Sequence, residues 1–412
     1  MKTLAGLRHG SLELVCPDAT YQFGRPDDTL GAVIAVHNER FFTRAVLAGD
    51  VGIGESYMDG DWSTPDLVAV VRLAVRNLSQ LESSHPILSG CRRITDWVQH
   101  RANRNTETGS RRNIAYHYDL GNDFYRLFLD QTLAYSSAYY ERESDSLECA
   151  QSRKYEHICK KLCLGPNDHL LEIGTGWGGF AAFAAENFGC RITTTTISRR
   201  QHDHARELFD SLPGGDRITL LYEDYRNLRG QFDKIVSIEM FEAVGHEHYD
   251  QYFGTCDRML RPDGSMLLQT ITIQESQFAQ YLRQSDWIRK YIFPGAELAS
   301  VVEIGKSLAR ASRMQMFHAE DIGIHYALTL NEWRKRFLAT LPEVRQLGFN
   351  EQFVRMWDYY LAYCEGGFRE RYISNVQLLL TKVGSRQRLL NEPQDTSGAL
   401  PSPLELCRAS LA

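Results

Sequence analysis

Four glycines crowd one short stretch, LLEIGTGWGGFA at residues 171–182: Gly174, Gly176, Gly178 and Gly179. They satisfy both G-x-G-x-G and G-x-G-x-x-G, so they read as a turn between a strand and a helix. Such a turn aims backbone N–H groups and the positive end of a helix dipole at a polar or anionic ligand. The strand end and the turn, Leu171, Glu172, Ile173, Gly174, Thr175, Gly176, Trp177, Gly178 and Gly179, are the candidate nucleotide cradle. A second concentration of chemistry lies in IEMFEAVG, where Glu239 and Glu242 follow another candidate strand directly. Strand carboxyl ends form the binding crevice of open α/β sheets, so a carboxylate there is placed to act on a ligand. Glu242 is the first choice and Glu239 its competitor.

Three further features decide which nucleotide the turn holds. A dinucleotide site calls for an Asp or Glu about twenty residues on, at the end of the second strand. Here that strand ends TTTTIS, with Thr195, Thr196 and Ser198 and no acid. Asp224, in LYEDYRNL after the third strand, can accept a hydrogen bond from an adenine amino group. RMLRPDGSMLL, residues 258–268, sets a Pro-Asp-Gly turn before an apolar strand, a pattern of methyltransferase sheets and not of dehydrogenases. The expected nucleotide is S-adenosylmethionine.

The elements that must position these residues alternate regularly from about residue 150. The helix RKYEHICKKLCL leads into the strand HLLEI, and the helix GFAAFAAENF follows the glycine turn. The strand CRITTTTI, the helix SRRQHDHARELFDSL and the strands ITLLYED and FDKIVSIEM come next. Alternation at this spacing predicts a parallel sheet with helices on both faces. Residues 1–90 mix β-like runs such as GAVIAVH (31–37) with the helical LVAVVRLAVRNL (67–78), which Ser63 or Thr64 and Pro65 are suited to open. The expected fold class is α/β, a Rossmann-like class I methyltransferase domain with a mostly parallel sheet over residues 113–392. A smaller amino-terminal α+β domain (1–90), a basic linker (91–112) and a flexible tail (393–412) complete the chain.

Bulk properties agree. A chain of 412 residues exceeds one ordinary core. Its 43% hydrophobic and 24% charged residues are those of a soluble globular protein. There is no apolar run of about eighteen residues, and MKTLAGLRHGSLELV meets charges too early for a signal peptide. Nine cysteines from Cys16 to Cys407 form no CxxC pair, which reads as reduced thiols in a cytoplasm with no structural metal. The net charge of −6 argues against nucleic acid as a partner. One segment differs, because six arginines between Cys91 and Arg112 face only Asp96 and Glu107. It is either a solvated linker or a patch for anionic lipid headgroups, where each basic residue contributes roughly 1 kcal/mol.

Taken together, MDGDW, NIAYHYDLGNDFYRLFLDQTLAYSSAYY, LLEIGTGWGGFA, TISRRQ, FDKIVSIEMFEAVGHEHY, SDWIRKYIFPGAELAS and YYLAYCEGGFRERYISNVQLLLTK resemble the cyclopropane-fatty-acyl-phospholipid synthase family. The likeness spans residues 54 to 382 in the family's order, and YHYDLGNDFY with IEMFEAVGHEHY is its specific part. The resemblance implies transfer of a methylene from S-adenosylmethionine to the cis double bond of an unsaturated phospholipid acyl chain. It also implies a membrane-surface substrate, peripheral association with the inner face of the membrane, and a homodimer. Alternatives stay open: methyl- or methylene-branched products, a small-molecule N-methyltransferase, or a silent lipid-binding protein.

By the same resemblance, Tyr135 and Ser136 reach the methionine end of the cofactor, Gly174 to Gly178 surround its backbone, and Thr196 and Gln201 lie near ribose and adenine. Tyr225 and Arg226 sit near the adenine where many relatives have Trp-Glu. Glu242 corresponds to a glutamate that helps hold a bicarbonate ion thought to take the proton, with Ile271 and Tyr326 retained from that set. Ser137 and Gln269 stand where the best-known members have Cys and His, although a subgroup of synthases reads SSA and LLQ at these places. Ser and Gln can still donate to a small anion, so bicarbonate is retained as a candidate. Cys364 falls where the family is often assigned an active-site cysteine, yet the chemistry needs no thiolate. His117 and Tyr118 are either an elbow between domains or part of the pocket closure. The insertion from Ile273 to Leu308 is expected to form a lid over the acyl chain, lined by Trp287, Tyr291 and Phe293.

Overall fold

The computed structural model describes residues 4–25, 29–83 and 120–386. The basic segment 91–112, His117, Tyr118 and the tail from Pro393 lie outside the described residues. The described elements begin with β1 (Ser11–Val15), β2 (Thr20–Gly24), β3 (Gly31–Val36), α1 (Arg40–Met58), β4 (Trp62–Ser63), α2 (Leu67–Arg76) and α3 (Leu78–Ser83). After α4 (Asn122–Arg126) and α5 (Leu147–Lys161) come β5 (His169–Ile173), α6 (Gly179–Phe188), β6 (Arg191–Thr196), α7 (Arg199–Ser211), β7 (Ile218–Tyr222) and β8 (Phe232–Ile238). The chain continues through α8 (Tyr249–Met259), β9 (Leu260–Ile273), α9 (Glu275–Tyr281), α10 (Trp287–Tyr291) and α11 (Val301–Ala311). It ends with β10 (Gln315–Asp321), α12 (Gly323–Ala339), α13 (Leu341–Gln346), α14 (Glu351–Arg369) and β11 (Ile373–Thr381).

These elements divide into two compact units. One contains residues 120–275, Ala296–Thr329 and 374–386. Its seven-stranded sheet has the order β10-β11-β9-β8-β5-β6-β7. The run from β9 to β7 is parallel, and β10 pairs antiparallel with β11 at one edge. This is the α/β sheet that the alternation predicts. Because β5 pairs with β6 on one side and β8 on the other, the chain order reverses between β5 and β8. The crevice beyond their carboxyl ends is a topological switch point. Strand period then sorts the core: Leu171 and Ile173 join Met266, Leu268 and Leu378 on one face, while Leu170 joins Ile158, Phe180 and Ala184 on the other. Ile271, Thr272 and Ile273 form the end of β9. The Pro-Asp-Gly turn is a bulge within that strand, since Leu260 pairs with Phe232 and Ser265 with Lys234.

The other unit contains residues 4–83 together with Ser276–Gly295 and Leu330–Ile373. Its four-stranded sheet has the order β2-β1-β3-β4. The cap of α2 is Asp66, whose carboxylate accepts from Ala69 N–H at 2.9 Å, rather than Ser63 or Thr64. Helices α2 and α14 touch closely because residue 366 is glycine; a Cβ there would lie 2.6 Å from Val71. The unit is not confined to the first 90 residues. The insertion supplies Trp287, which is fully buried, 4.8 Å from the Tyr359 ring and so close to Gly54 that a Cβ there would meet it at 2.4 Å. Tyr291 donates to Glu55 at 2.6 Å, and Phe293 stands edge-on to Tyr360 at 5.9 Å. Trp287 is thus a core residue of this unit, held by the large apolar area it withdraws from water.

Among the described residues Cys16, Cys159, Cys163, Cys190, Cys256 and Cys364 are free thiols. Among the described residues no helix is long and apolar enough to cross a membrane.

Candidate active site

Strand β5 delivers the glycine turn to the switch point. Gly174, Gly176 and Gly178 take φ values of 102°, 55° and 95°, a region open to glycine at little cost. The N–H groups of Gly174 and Thr175 both donate to the Thr195 carbonyl at 3.0 Å, which ties the turn to the end of β6. The glycines do different jobs. A Cβ on Gly178 would strike the Phe209 ring at 2.9 Å, and one on Gly179 would meet Thr132 at 2.9 Å, so both serve packing. A Cβ on Gly176 would meet nothing within 4 Å, so the turn has open room beside it there. Leu171 and Ile173 are core side chains. Glu172 is also buried, accepts from Thr194 at 2.5 Å, and is pushed up to about 8 by burial. Thr175 bonds the same Thr194 hydroxyl at 2.7 Å. These side chains brace the turn from within the sheet.

Around the turn, the Trp177 indole N–H donates to Asn122 at 2.9 Å, and Tyr125 packs between the rings of Trp177 (5.0 Å) and Tyr135 (5.4 Å). Ser136 Oγ accepts from Lys154 Nζ at 2.6 Å. Thr196 Oγ1 donates to Gln201 Oε1 at 2.9 Å and accepts from Ser198 N–H at 3.1 Å, at the capped start of α7. Asp224 is gripped by Arg226 through Nε (2.8 Å), Nη2 (2.7 Å) and the backbone N–H (3.0 Å). The carboxylate expected to meet an adenine is therefore engaged within its own turn by a charge-assisted fork. Tyr225 is half-buried, with its ring edge-to-face to Tyr252 at 5.3 Å.

Strand β8 ends at the other side of the switch point, and a Cβ on Gly174 would meet the Met240 side chain at 3.1 Å. The turn after β8 runs through Glu239 at a φ of 51°. That conformation costs a non-glycine residue about 1–2 kcal/mol. It is held by a bond from Glu239 N–H to the Gln269 carbonyl at 2.8 Å. Glu239 Oε1 accepts from Asn375 Nδ2 (2.6 Å), Gln269 Nε2 (2.8 Å) and Ser137 N–H (2.9 Å), and the Tyr326 hydroxyl donates to the same carboxylate. Burial pushes the Glu239 carboxyl up, against the pull of these donors and of the Lys154 charge. Glu242 Oε1 accepts from Ile271 N–H at 2.6 Å and Thr270 Oγ1 at 3.0 Å, while its Oε2 is buried with no hydrogen-bond partner. Burial first, and the neighbouring Glu239 second, push the Glu242 carboxyl up to about 7.

The structure thus gathers Ser137, Gln269 and Tyr326 on Glu239, the competitor, and only Ile271 on Glu242. Glu239 comes first because its left-handed turn swings the carboxylate back between β9 and β11. Cys364 lies on α14 in the other unit, half-buried, with its thiol pushed up by burial and by Asp286. It is not a thiolate at neutral pH.

Several residues escaped sequence reasoning. Asn375 and Gln377 alternate with apolar residues along β11; their polar side chains two apart mark one strand face. Lys154 and Lys161 lie on α5 seven residues apart, on the turn-by-turn row that also carries buried Ile158. The buried amides form a line: Lys161 Nζ donates to Gln377 Oε1 (2.9 Å), Gln377 Nε2 to Gln269 Oε1 (2.9 Å), and Gln269 Nε2 to Glu239 (2.8 Å).

A mostly parallel seven-stranded sheet with an open glycine turn at its switch point defines a class I S-adenosylmethionine-dependent methyltransferase. Residues 105–378 match the family model described as mycolic acid cyclopropane synthetase. The chain is 39% identical over 355 residues to the cyclopropane-fatty-acyl-phospholipid synthase of Escherichia coli strain K12, covering 85% of this chain and 88% of that one. It is 35% identical over 388 residues to the tuberculostearic acid methyltransferase of Mycobacterium tuberculosis, covering 91% and 89%. Its fold matches a mycolic acid cyclopropane synthase crystallised with SAH and CTAB at a TM-score of 0.62 and 33% identity, over 66% of this chain and 98% of that one. The chain belongs to the cyclopropane synthase family of S-adenosylmethionine-dependent methyltransferases.

Proposed function

We propose that this enzyme adds a methylene across the cis double bond of an unsaturated phospholipid acyl chain and closes a cyclopropane ring. S-adenosylmethionine, bound at the glycine turn, supplies the methyl group as a sulfonium. The residues present suit it, because Gly176 leaves open room at the turn and Thr196, Gln201, Tyr135 and Ser136 are the side chains that would hold it. An alkene is a feeble nucleophile, so the protein must hold both reactants close and in line. It must also keep out water, because methyl addition leaves a carbocation. The rings of Tyr125, Tyr135 and Trp177 beside the turn offer faces that stabilise a cation. The observation that carries the reading is the buried carboxylate pair Glu239 and Glu242, which flanks Met240, the side chain that lies against Gly174 of the glycine turn, and which can accept a proton.

We place the substrate in a membrane surface at the inner face, with the amino-terminal sheet and its helices docking on the bilayer and the enzyme acting as a homodimer. The support is the 39% identity, over 85% of this chain and 88% of the other, to a relative named for a phospholipid substrate. Incubation with methyl-labelled S-adenosylmethionine and oleoyl-phospholipid vesicles, followed by mass and proton spectra of the lipid, tests the reaction. A product heavier by one methylene with ring protons upholds it; no label in lipid refutes it. Flotation of the protein with the vesicles tests the docking.

A second reading keeps the methyl transfer and gives a branched chain. The 35% identity to a tuberculostearic acid methyltransferase favours it. The same spectra, with added mass and no ring protons, would establish it.

A further inference from the structure

We propose that Glu239 takes the proton from the transferred methyl group, in the place expected for a bicarbonate ion. The proposal rests on the methyl-transfer reading above. The donors expected for a small anion are already committed. Ser137 N–H, Gln269 Nε2 and Asn375 Nδ2 converge on one oxygen of Glu239, the Tyr326 hydroxyl reaches the same carboxylate, and the Ser137 hydroxyl turns away to the Ala138 carbonyl at 3.0 Å. These donors come from the loop before α5, from β9, from β11 and from α12. An additional anion among them would compete for the same N–H groups. It would also face the like charge of the Glu239 carboxylate in a buried setting, where such repulsion is poorly screened. The residues therefore do not fit a bicarbonate ion.

The amide line shows that the arrangement is directional. Lysine only donates, so Gln377 must turn its oxygen to Lys161 and its N–H to Gln269. Gln269 then accepts with its oxygen and has only its N–H left for Glu239. A donor locked in this way favours a carboxylate over a carboxylic acid. The left-handed backbone at Glu239 is a cost that persists only where the surroundings fix it, and such positions cluster at functional sites.

The chemistry asks little basicity of the acceptor. After methyl addition, a C–H bond of the new methyl breaks and its electron pair forms the second ring C–C bond. The proton passes to the Glu239 carboxylate, which becomes a carboxylic acid. A proton beside a carbocation is strongly acidic, so position matters more than the strength of the base.

The test uses the full-length protein, methyl-labelled S-adenosylmethionine and vesicles of oleoyl phosphatidylethanolamine and phosphatidylglycerol in buffer purged of carbon dioxide. The expected rate without bicarbonate changes less than twofold when millimolar bicarbonate is added. Glu239→Gln should lower kcat by about a hundredfold or more, the scale of general base catalysis, while calorimetry shows the cofactor still bound. Glu239→Gly should regain turnover with added formate or bicarbonate. A tenfold gain of the wild type on bicarbonate, or a Glu239→Gln enzyme that keeps its rate, would overturn the proposal. If the variants fail to fold, the wild-type comparison decides alone. Absence of label in lipid under every condition would sink the methyl-transfer reading itself, and this proposal with it.

Discussion

Glu239 and Glu242 stand three residues apart in unlike surroundings. Ser137, Gln269, Asn375 and Tyr326 all donate to the first, whereas Oε2 of the second is buried with no partner. Two carboxyl groups this close are pushed toward opposite protonation states, the arrangement that separates a base from an acid.

Glu242 should make stability fall with rising pH. Its folded value of about 7 lies above the ordinary 4.5, so the folded state holds the proton more tightly. The contribution is complete below the ordinary value and is lost as pH rises through the folded one, a swing of about 3 kcal/mol. Glu242→Gln removes it. Urea unfolding at pH 5 and pH 8 should show a larger loss for the wild type than for the variant; parallel losses would refute the assignment.

Lys154 has the opposite sign. Burial lowers it to about 8 from 10.5, so its contribution is complete above the ordinary value and is lost as pH falls through the folded one. Lys154→Met should match or exceed wild-type stability near pH 6, an advantage that disappears in alkali. The same change removes a cation that holds Glu239 down. The acid limb of the kcat/KM profile should move to higher pH; an unmoved limb would show that Lys154 does not act on the base.

The glycine turn predicts a division of effects. Gly178→Ala drives a methyl into the Phe209 ring at a φ of 95° and should cost about 1–3 kcal/mol, read as a lower Tm. Gly176→Ala meets open space, so its stability cost should be the smaller one. Its added methyl fills the room left for the cofactor, and calorimetric titration should find S-adenosylmethionine binding weakened at least tenfold. Equal effects of the two changes on binding would contradict the division.

Trp287→Ala should act on stability rather than on chain-length preference. The side chain is fully buried against Gly54 and Tyr359, and its removal should cost about 3–5 kcal/mol. Unfolding curves and activity on acyl chains of graded length separate the two effects. A variant of normal stability with altered preference would restore the lid assignment.

Local order was legible from the residues alone. The β5–turn–α6 stretch, the threonine-rich end of β6 and the run of alternating strands and helices follow from periods of two and 3.6 and from glycine's freedom at positive φ, all of which neighbours in sequence decide. Even a nearby cap was misplaced, because Asp66 competes with Ser63 and Thr64 within four residues and only geometry ranks them. What tertiary structure decided was partnership. Glu239 became the central carboxylate because residues from positions 137, 269, 326 and 375 meet at one point. Trp287 became core because a glycine 233 positions earlier leaves room for its ring. Hydrogen bonds and close packing act over a few ångströms, so the residues they join are set by how strands and helices stack and not by their spacing along the chain.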